Sequence, residues 1–198
     1  MSQTERHLQV KQAILRSARP LIGARGFSAV GLSQILEAAA IPKGSFYHYF
    51  SSKEHFGEAL LEMYIEEYLQ HTEALFRREE GNGYAKMLTY CQWWQETHVN
   101  GQIGNKCLIV KLAAEVCDLS ERMRAILEVG TSEVIKRLEA VISEGQKDGS
   151  ITQATSAFVL AATMYQMWLG ATLMMKMTHT SQPFDVALSA TQSLLQRS

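Results

Sequence analysis

The run Lys43-Gly44-Ser45-Phe46-Tyr47-His48-Tyr49-Phe50 holds the side chains best placed for chemistry in this chain, and that chemistry is non-covalent contact with a polyanion. Wrapped at roughly 100° per residue, Phe46, Tyr49 and Phe50 share one side of a short helix. Gly44 and His48 lie opposite, flanked by Ser45 and Tyr47. The aromatic side can dock the helix while the other offers small and polar groups outward. Lys43 and Lys53 stand at the two ends, near where phosphates flank a groove. This is the layout of a helix-turn-helix recognition element. Lys43, Tyr47, His48 and Lys53 are the expected phosphate or base contacts, with Ser45 close to the groove. Gly44 matters by lacking a side chain, so that backbone can approach a duplex. Ser33 and Gln34, on the preceding helix, are expected secondary contacts. The competing reading is that Tyr47 and His48 only complete the packing. Phosphate contacts position a protein and base contacts specify its sequence.

Three elements must hold that run in place. Val10, Ile14, Ala18, Leu21 and Ile22 recur at helical spacing and predict a first helix ending at Gly26, kinked by Pro20. A second helix is expected from about Leu32 to Ala40, capped by Gly31 or Ser33. Ala39-Ala40-Ile41 is the turn into the recognition helix. The predicted core of this unit is Ile14, Phe27, Ile35, Leu36, Phe46 and Phe50.

Gly26-Phe27, Leu32, Ile35, Ala38-Ala39, the run from Lys43 to Phe50, Ser52-Lys53-Glu54 and Phe56 together resemble the amino-terminal domain of the tetracycline-repressor (TetR) family. The resemblance implies an all-helical homodimeric repressor of about nine helices that binds a double-stranded operator and is released by an inducer. It implies a helix-turn-helix DNA-binding domain over residues 1–53 and an effector-binding and dimerisation domain over 54–198. The chain departs from the family pattern at Gly31, Ala40 and Pro42, where Ser or Thr, Gly, and Ser or Thr are usual. Pro42 is tolerable in a first helical turn, where the lost donor has no intrahelical partner.

The overall charge of −1 argues by itself against a nucleic-acid partner. Its distribution argues the other way. Residues 1–60 carry seven basic side chains (Arg6, Lys11, Arg16, Arg19, Arg25, Lys43, Lys53) against four acidic ones (Glu5, Glu37, Glu54, Glu58), a net of +3. The remaining twelve basic and sixteen acidic residues give −4. A basic reading head on an acidic body concentrates phosphate attraction at one end. The polar stretch Met1 to Lys11 is no secretory signal, and three irregularly spaced cysteines suit a reducing compartment, so a cytoplasmic location is expected.

Further helices are expected from Ser52 to about Arg78, Tyr84 to His98, Cys107 to Cys117, after Ser120 with a stripe of Met123, Leu127, Gly130, Val134, Leu138 and Val141, and over Thr155–Met177 and Pro183–Gln196. The predicted fold is all-α. Ala157 to Met175 has no charge for nineteen residues, enough for a membrane span by length. Thr163, Tyr165, Gln166, Gly170 and Thr172 lower its hydrophobicity, and a helix buried on every side reads the same way. The family resemblance supplies such burial, as a four-helix bundle of the last two helices with their dimer mates. No membrane association is expected.

A pocket for a signal is expected among Trp93, Trp94, Tyr64, Tyr90, Met164, Met167, Trp168 and Met174, residues that serve equally as plain core or dimer interface. Cys107 follows Gly104-Asn105-Lys106 at an expected helix amino terminus, and both that terminus and the cation favour thiolate. Cys117 is rotated roughly 80° and about 15 Å along the same helix, so the two cannot form a disulfide within it. Lys111 and Lys176 are amines that could approach a thiol. The stretch from Cys107 to Ser120, continuing through Gly170-Ala171 towards Lys176, resembles a TetR subgroup with an electrophile- and oxidant-responsive member. That likeness implies a modification site at Cys107, against the alternative of a small buried residue. A rival enzyme with Cys107 as nucleophile and His98 as base finds no Gly-rich phosphate loop, metal cluster or Cys/His constellation to support it, and no cofactor is expected.

Overall fold

The computed structural model describes residues 2–78, 80–99 and 107–196. These residues form nine helices and no strand: α1 (Gln3–Arg25), α2 (Leu32–Ala38), α3 (Lys43–Tyr49), α4 (Lys53–Arg78), α5 (Gly83–Val99), α6 (Leu108–Leu119), α7 (Glu121–Asp148), α8 (Ala157–Thr178) and α9 (Gln182–Leu195). They divide into two compact units, Met1–Glu66 with Gly101–Glu128 and Glu67–Asn100 with Val129–Ser198. The expected linker over Val99–Lys106 falls largely outside the described residues.

In the first unit, α1 opens with a capping box. Ser2 Oγ accepts the Glu5 N–H at 3.2 Å, and the Glu5 carboxylate accepts the Ser2 N–H at 2.7 Å. The helix continues through Pro20 to Gly26, whose φ of 95° ends it. Its buried face is Ile14, Leu15, Ala18 and Ile22, while Leu21 is only half-buried. Ile35, Phe46, Phe50, Phe56 and Leu60 are fully buried beside Phe27 and Val30. The Phe46, Phe50 and Phe56 rings meet at centroid distances of 5.1–5.7 Å. Burying each such ring stabilises the unit by about 1.5–3 kcal/mol. Leu36, expected in this core, is half-buried at its edge, because the seven-residue α2 presents one narrow stripe centred on Ile35.

Gly31 is the N-cap of α2, and the cap bond comes from the helix side: the Gly31 N–H donates to Gln34 Oε1 at 3.0 Å. Beyond α2, Ala40 adopts φ 51°, and the Ile41 N–H reaches back to the Leu36 carbonyl at 3.1 Å. This is the left-handed helix-ending turn in which glycine is usual.

The second unit is built around aromatic rings. Trp94, Trp168, Tyr90 and Phe184 are fully buried. The Trp94 Nε1–H donates to Thr172 Oγ1 at 2.9 Å, and the Trp168 Nε1–H donates to Thr191 Oγ1 at 3.0 Å. Helix α8 is long and apolar enough to cross a membrane by length and composition. One side of it, including Leu160, Met164 and Trp168, lies in this core. The other exposes Phe158, Val159, Leu173, Met174 and Met177, with Val186 and Leu194 exposed on α9.

Ala40 is strained in a conformation that costs a residue with a Cβ about 1 kcal/mol. Ala40→Gly is expected to raise the unfolding free energy by about that amount, read by urea denaturation.

Candidate functional site

Two anchors present the polar edge of α3. With Phe46 and Phe50 fully buried, Lys43, Gly44, Tyr47 and His48 are exposed and Ser45 is half-buried. Tyr47 keeps 48% of its surface in solvent, although its ring meets Phe46 edge-on at 5.5 Å. A Cβ added to Gly44 would meet nothing within 4 Å, so no intramolecular contact requires glycine at that position. Tyr49, expected on the docking side, is half-buried against His7 of α1 at 4.6 Å between ring centroids. His7 also meets the His48 ring edge-on at 5.3 Å. His7 therefore braces the exposed edge, a role no local pattern in α1 announces.

On α2, Ser33 is exposed, and Gln34 has its amide oxygen occupied by Gly31 while its NH2 group remains as donor. Lys53 differs from the other basic residues. Its Nζ donates to the Phe27 carbonyl at 2.8 Å and lies 4.6 Å from the Phe27 ring centroid. Partial burial lowers its pKa, an effect the nearby Glu115 opposes. An ammonium has three donors, so this bond leaves capacity for a phosphate.

Phe27 is held on its other side as well. Glu115 of α6 accepts the Phe27 N–H at 3.1 Å and also the Ser28 N–H. Met123 of α7 and the Phe27 ring close on Gly57 of α4, where an added Cβ would come within 2.4 Å of the methionine and 2.6 Å of the ring. Glu115 is 88 positions from Phe27, and no sequence signal pairs them.

Cys107 is the N-cap of α6, and its carbonyl accepts the Lys111 N–H at 3.1 Å. It is only 3% exposed. Its expected neighbours Gly104, Asn105 and Lys106 lie outside the described residues. Cys117, near the other end of α6, is half-buried. Both belong to the first unit, whereas Cys91, Trp93, Trp168, His98 and Lys176 belong to the second. Burial pushes the Cys91 thiol up to about 12, with a Thr191 contact pulling the other way, so Cys91 is inert as a nucleophile. Trp93 is half-buried and stacks on His71 at 4.6 Å, while Trp94, Tyr90, Met164 and Trp168 sit in the packed core. Tyr64, in the first unit, packs beneath the Arg19 guanidinium. Met167 and Met174 line an apolar groove of about 370 Å³ with Thr178, Pro183 and Val186.

A seven-residue helix docked through aromatic rings, entered from a tight turn and followed at once by a long helix, is the geometry of a DNA-reading head. Residues 14–60 match the family model for bacterial regulatory proteins of the tetR family, and residues 83–191 match that for the tetracyclin repressor-like C-terminal domain. The chain belongs to the TetR family. It is 37% identical over 185 residues to the HTH-type transcriptional repressor NemR of Escherichia coli, covering 93% of each chain. The crystal structure of the reduced form of E. coli NemR superposes with a TM-score of 0.88, covering 95% of this chain and 97% of that one. The HTH-type transcriptional repressor DhaR of Mycobacterium sp. is 29% identical over 180 residues, covering 91% of this chain and 89% of its own. This TetR-family member is a transcriptional repressor similar to NemR, and its relatives are regulators rather than enzymes.

One buried group in the TetR C-terminal region sets a pH dependence. His98 is 8% exposed, its Nδ1 lies 2.7 Å from the Trp94 carbonyl and its Nε2 has no hydrogen-bond partner. Burial lowers its pKa from 6.5 to about 4, with the Trp94 carbonyl opposing the fall and Lys176 adding to it. Between those values the unfolded chain binds a proton that the folded chain does not, so stability falls as pH falls. The expected loss between pH 6.5 and 4 is about 3 kcal/mol from this group. His98→Phe should show a flatter urea-unfolding profile across that interval; an unchanged slope would remove His98 from the acid response.

Proposed function

We propose that this chain acts as a cytoplasmic homodimer. Residues 1–53 of each copy read one half of a pseudo-palindromic operator, and residues 54–198 bind the effector and pair the copies. Two α3 helices enter successive major grooves about one helical turn apart. Lys43 and Lys53 contact phosphates, Tyr47 and His48 reach phosphates or bases, Gly44 and Ser45 allow close approach, and Ser33 and Gln34 add contacts from α2. The observation that carries this reading is the division of α3 into a fully buried Phe46/Phe50 side and an exposed Lys43/Gly44/Tyr47/His48 edge. The exposed apolar side of α8 and α9 supports pairing of two copies, since such a face is stable only when covered.

Release is proposed to follow a small-molecule inducer, or modification of Cys107 by an electrophile or oxidant. The N-cap position of Cys107 supports thiolate formation, and a relative studied in its reduced form supports redox chemistry in this subgroup. Near-complete burial means that a reagent reaches the thiol on local opening. Covalent attachment then favours whichever conformation accommodates the adduct, and the operator is released when that conformation no longer matches its spacing.

The decisive experiment is binding-site selection from genomic fragments with purified protein, repeated after N-ethylmaleimide treatment. Enrichment of one locus, lost on alkylation, is expected; no enrichment would sink the DNA-reading assignment. On the selected operator, Lys43→Ala should lower the slope of log K against log salt by about 1. Gly44→Ala should keep the fold, since its Cβ has open space, yet weaken binding. Cys107→Ser should bind normally and resist N-ethylmaleimide. Normal release of that variant would eliminate Cys107 as the trigger.

A further inference from the structure

Helix α6 reaches the DNA-reading head through the Glu115 carboxylate. Glu115 accepts the Phe27 and Ser28 backbone N–H groups. An added Cβ at Gly26 would lie 2.9 Å from Glu115 Oε2, which places the carboxylate beside the carboxy-terminal end of α1. An anion there faces the negative end of the helix dipole. Helix stability therefore does not account for Glu115, whereas the two loop N–H groups do. The carbonyl of Phe27 is taken by Lys53.

The linkage has a mechanical consequence. Phe27 leads through a short loop into α2, and Lys53 begins α4, so these attachments bracket α3 on both sides. At the far end of α6, Ser120 donates to Glu54 Oε1 at 2.5 Å, one residue beyond Lys53. Partial burial opposes ionisation of Glu115, but its bonds from Ser28 and Phe27, with Lys111 nearby, more than offset it and hold the carboxyl below its ordinary range. The group is thus a charged acceptor at neutral pH, and charge-assisted bonds are about twice as strong as neutral ones.

We propose that Glu115 is the positioning residue through which α6 holds the α1–α2 loop, and with it α3, in the arrangement that fits the operator. It touches no DNA. A displacement of α6, whose first residue follows Cys107, is carried to the recognition helix through this carboxylate. The inference rests on the DNA-reading role of α3.

The test uses full-length protein and the selected operator, with affinity followed by fluorescence anisotropy over a range of salt. Glu115→Ala is expected to bind about tenfold more weakly, within the range residues along a coupling network command. Its salt slope should match that of the parent, because no phosphate contact is lost. Glu115→Gln keeps the shape and an acceptor oxygen, so it should recover part of the affinity; it also carries the test if the alanine variant does not fold. Parental affinity in both variants would overturn the proposal. So would a reduced active fraction, by stoichiometric titration, with unchanged affinity in that fraction, which marks a purely structural role. A weakened variant with a shallower salt slope would overturn it too, by placing Glu115 in the charge balance at the DNA. Absence of any operator preference in the parent protein would instead overturn the α3 assignment and this inference together.

Discussion

The backbone at Phe27 is gripped from two directions, and the reading head depends on that grip. Its N–H goes to Glu115 and its carbonyl to Lys53, while its ring fills the space between Lys53 and Gly57. A helix of seven residues such as α3 cannot persist by its own hydrogen bonds, since nucleation alone consumes most of what so few residues return. Its position is borrowed from what it packs against. Phe46 and Phe50 supply the burial, and the polar clamp at Phe27 fixes the direction of the chain that leads towards them. Satisfying an irregular backbone segment with remote side chains, rather than with water, makes its geometry sensitive to where those side chains stand.

Features governed by neighbouring residues were legible in the amino-acid order. The end of α1 at Gly26, the aromatic docking side of α3 and the Met123-to-Val141 stripe of α7 follow from spacing and backbone preference, and each is found as expected. The details that spacing does not reveal are those decided at a distance. Leu36 has the right phase for the core, yet the short α2 buries only a narrow stripe centred on Ile35 and leaves it at the edge. Lys53 looks like a free terminal charge until the Phe27 carbonyl, 26 positions earlier, is seen to accept its hydrogen bond. Glu115 resembles any charge on an amphipathic helix, because nothing within ten residues reveals that a loop amide awaits it. Cys107 was recognisable as a helix-initiating residue, but its depth below the surface is a property of the folded chain.

Threonines resolve the ambiguity of the long apolar helix. Thr172 of α8 takes the Trp94 indole N–H while donating to the Trp168 carbonyl at 2.8 Å, and Thr191 of α9 takes the Trp168 indole. Each large ring thus enters the core with its one polar atom satisfied, as burial of an indole demands. Hydroxyls that dilute the helix's hydropathy are the partners its own protein core requires.

A protomer whose α8 and α9 leave Phe158, Leu173, Met177 and Val186 in water is poorly suited to a solitary existence. Covering hydrocarbon through the proposed self-association would make folding strength rise with the amount of protein present, by mass action. The fewer the copies a cell holds, the larger the share left unpaired. Gene dosage and dilution at division would tune occupancy of the operator alongside any chemical signal.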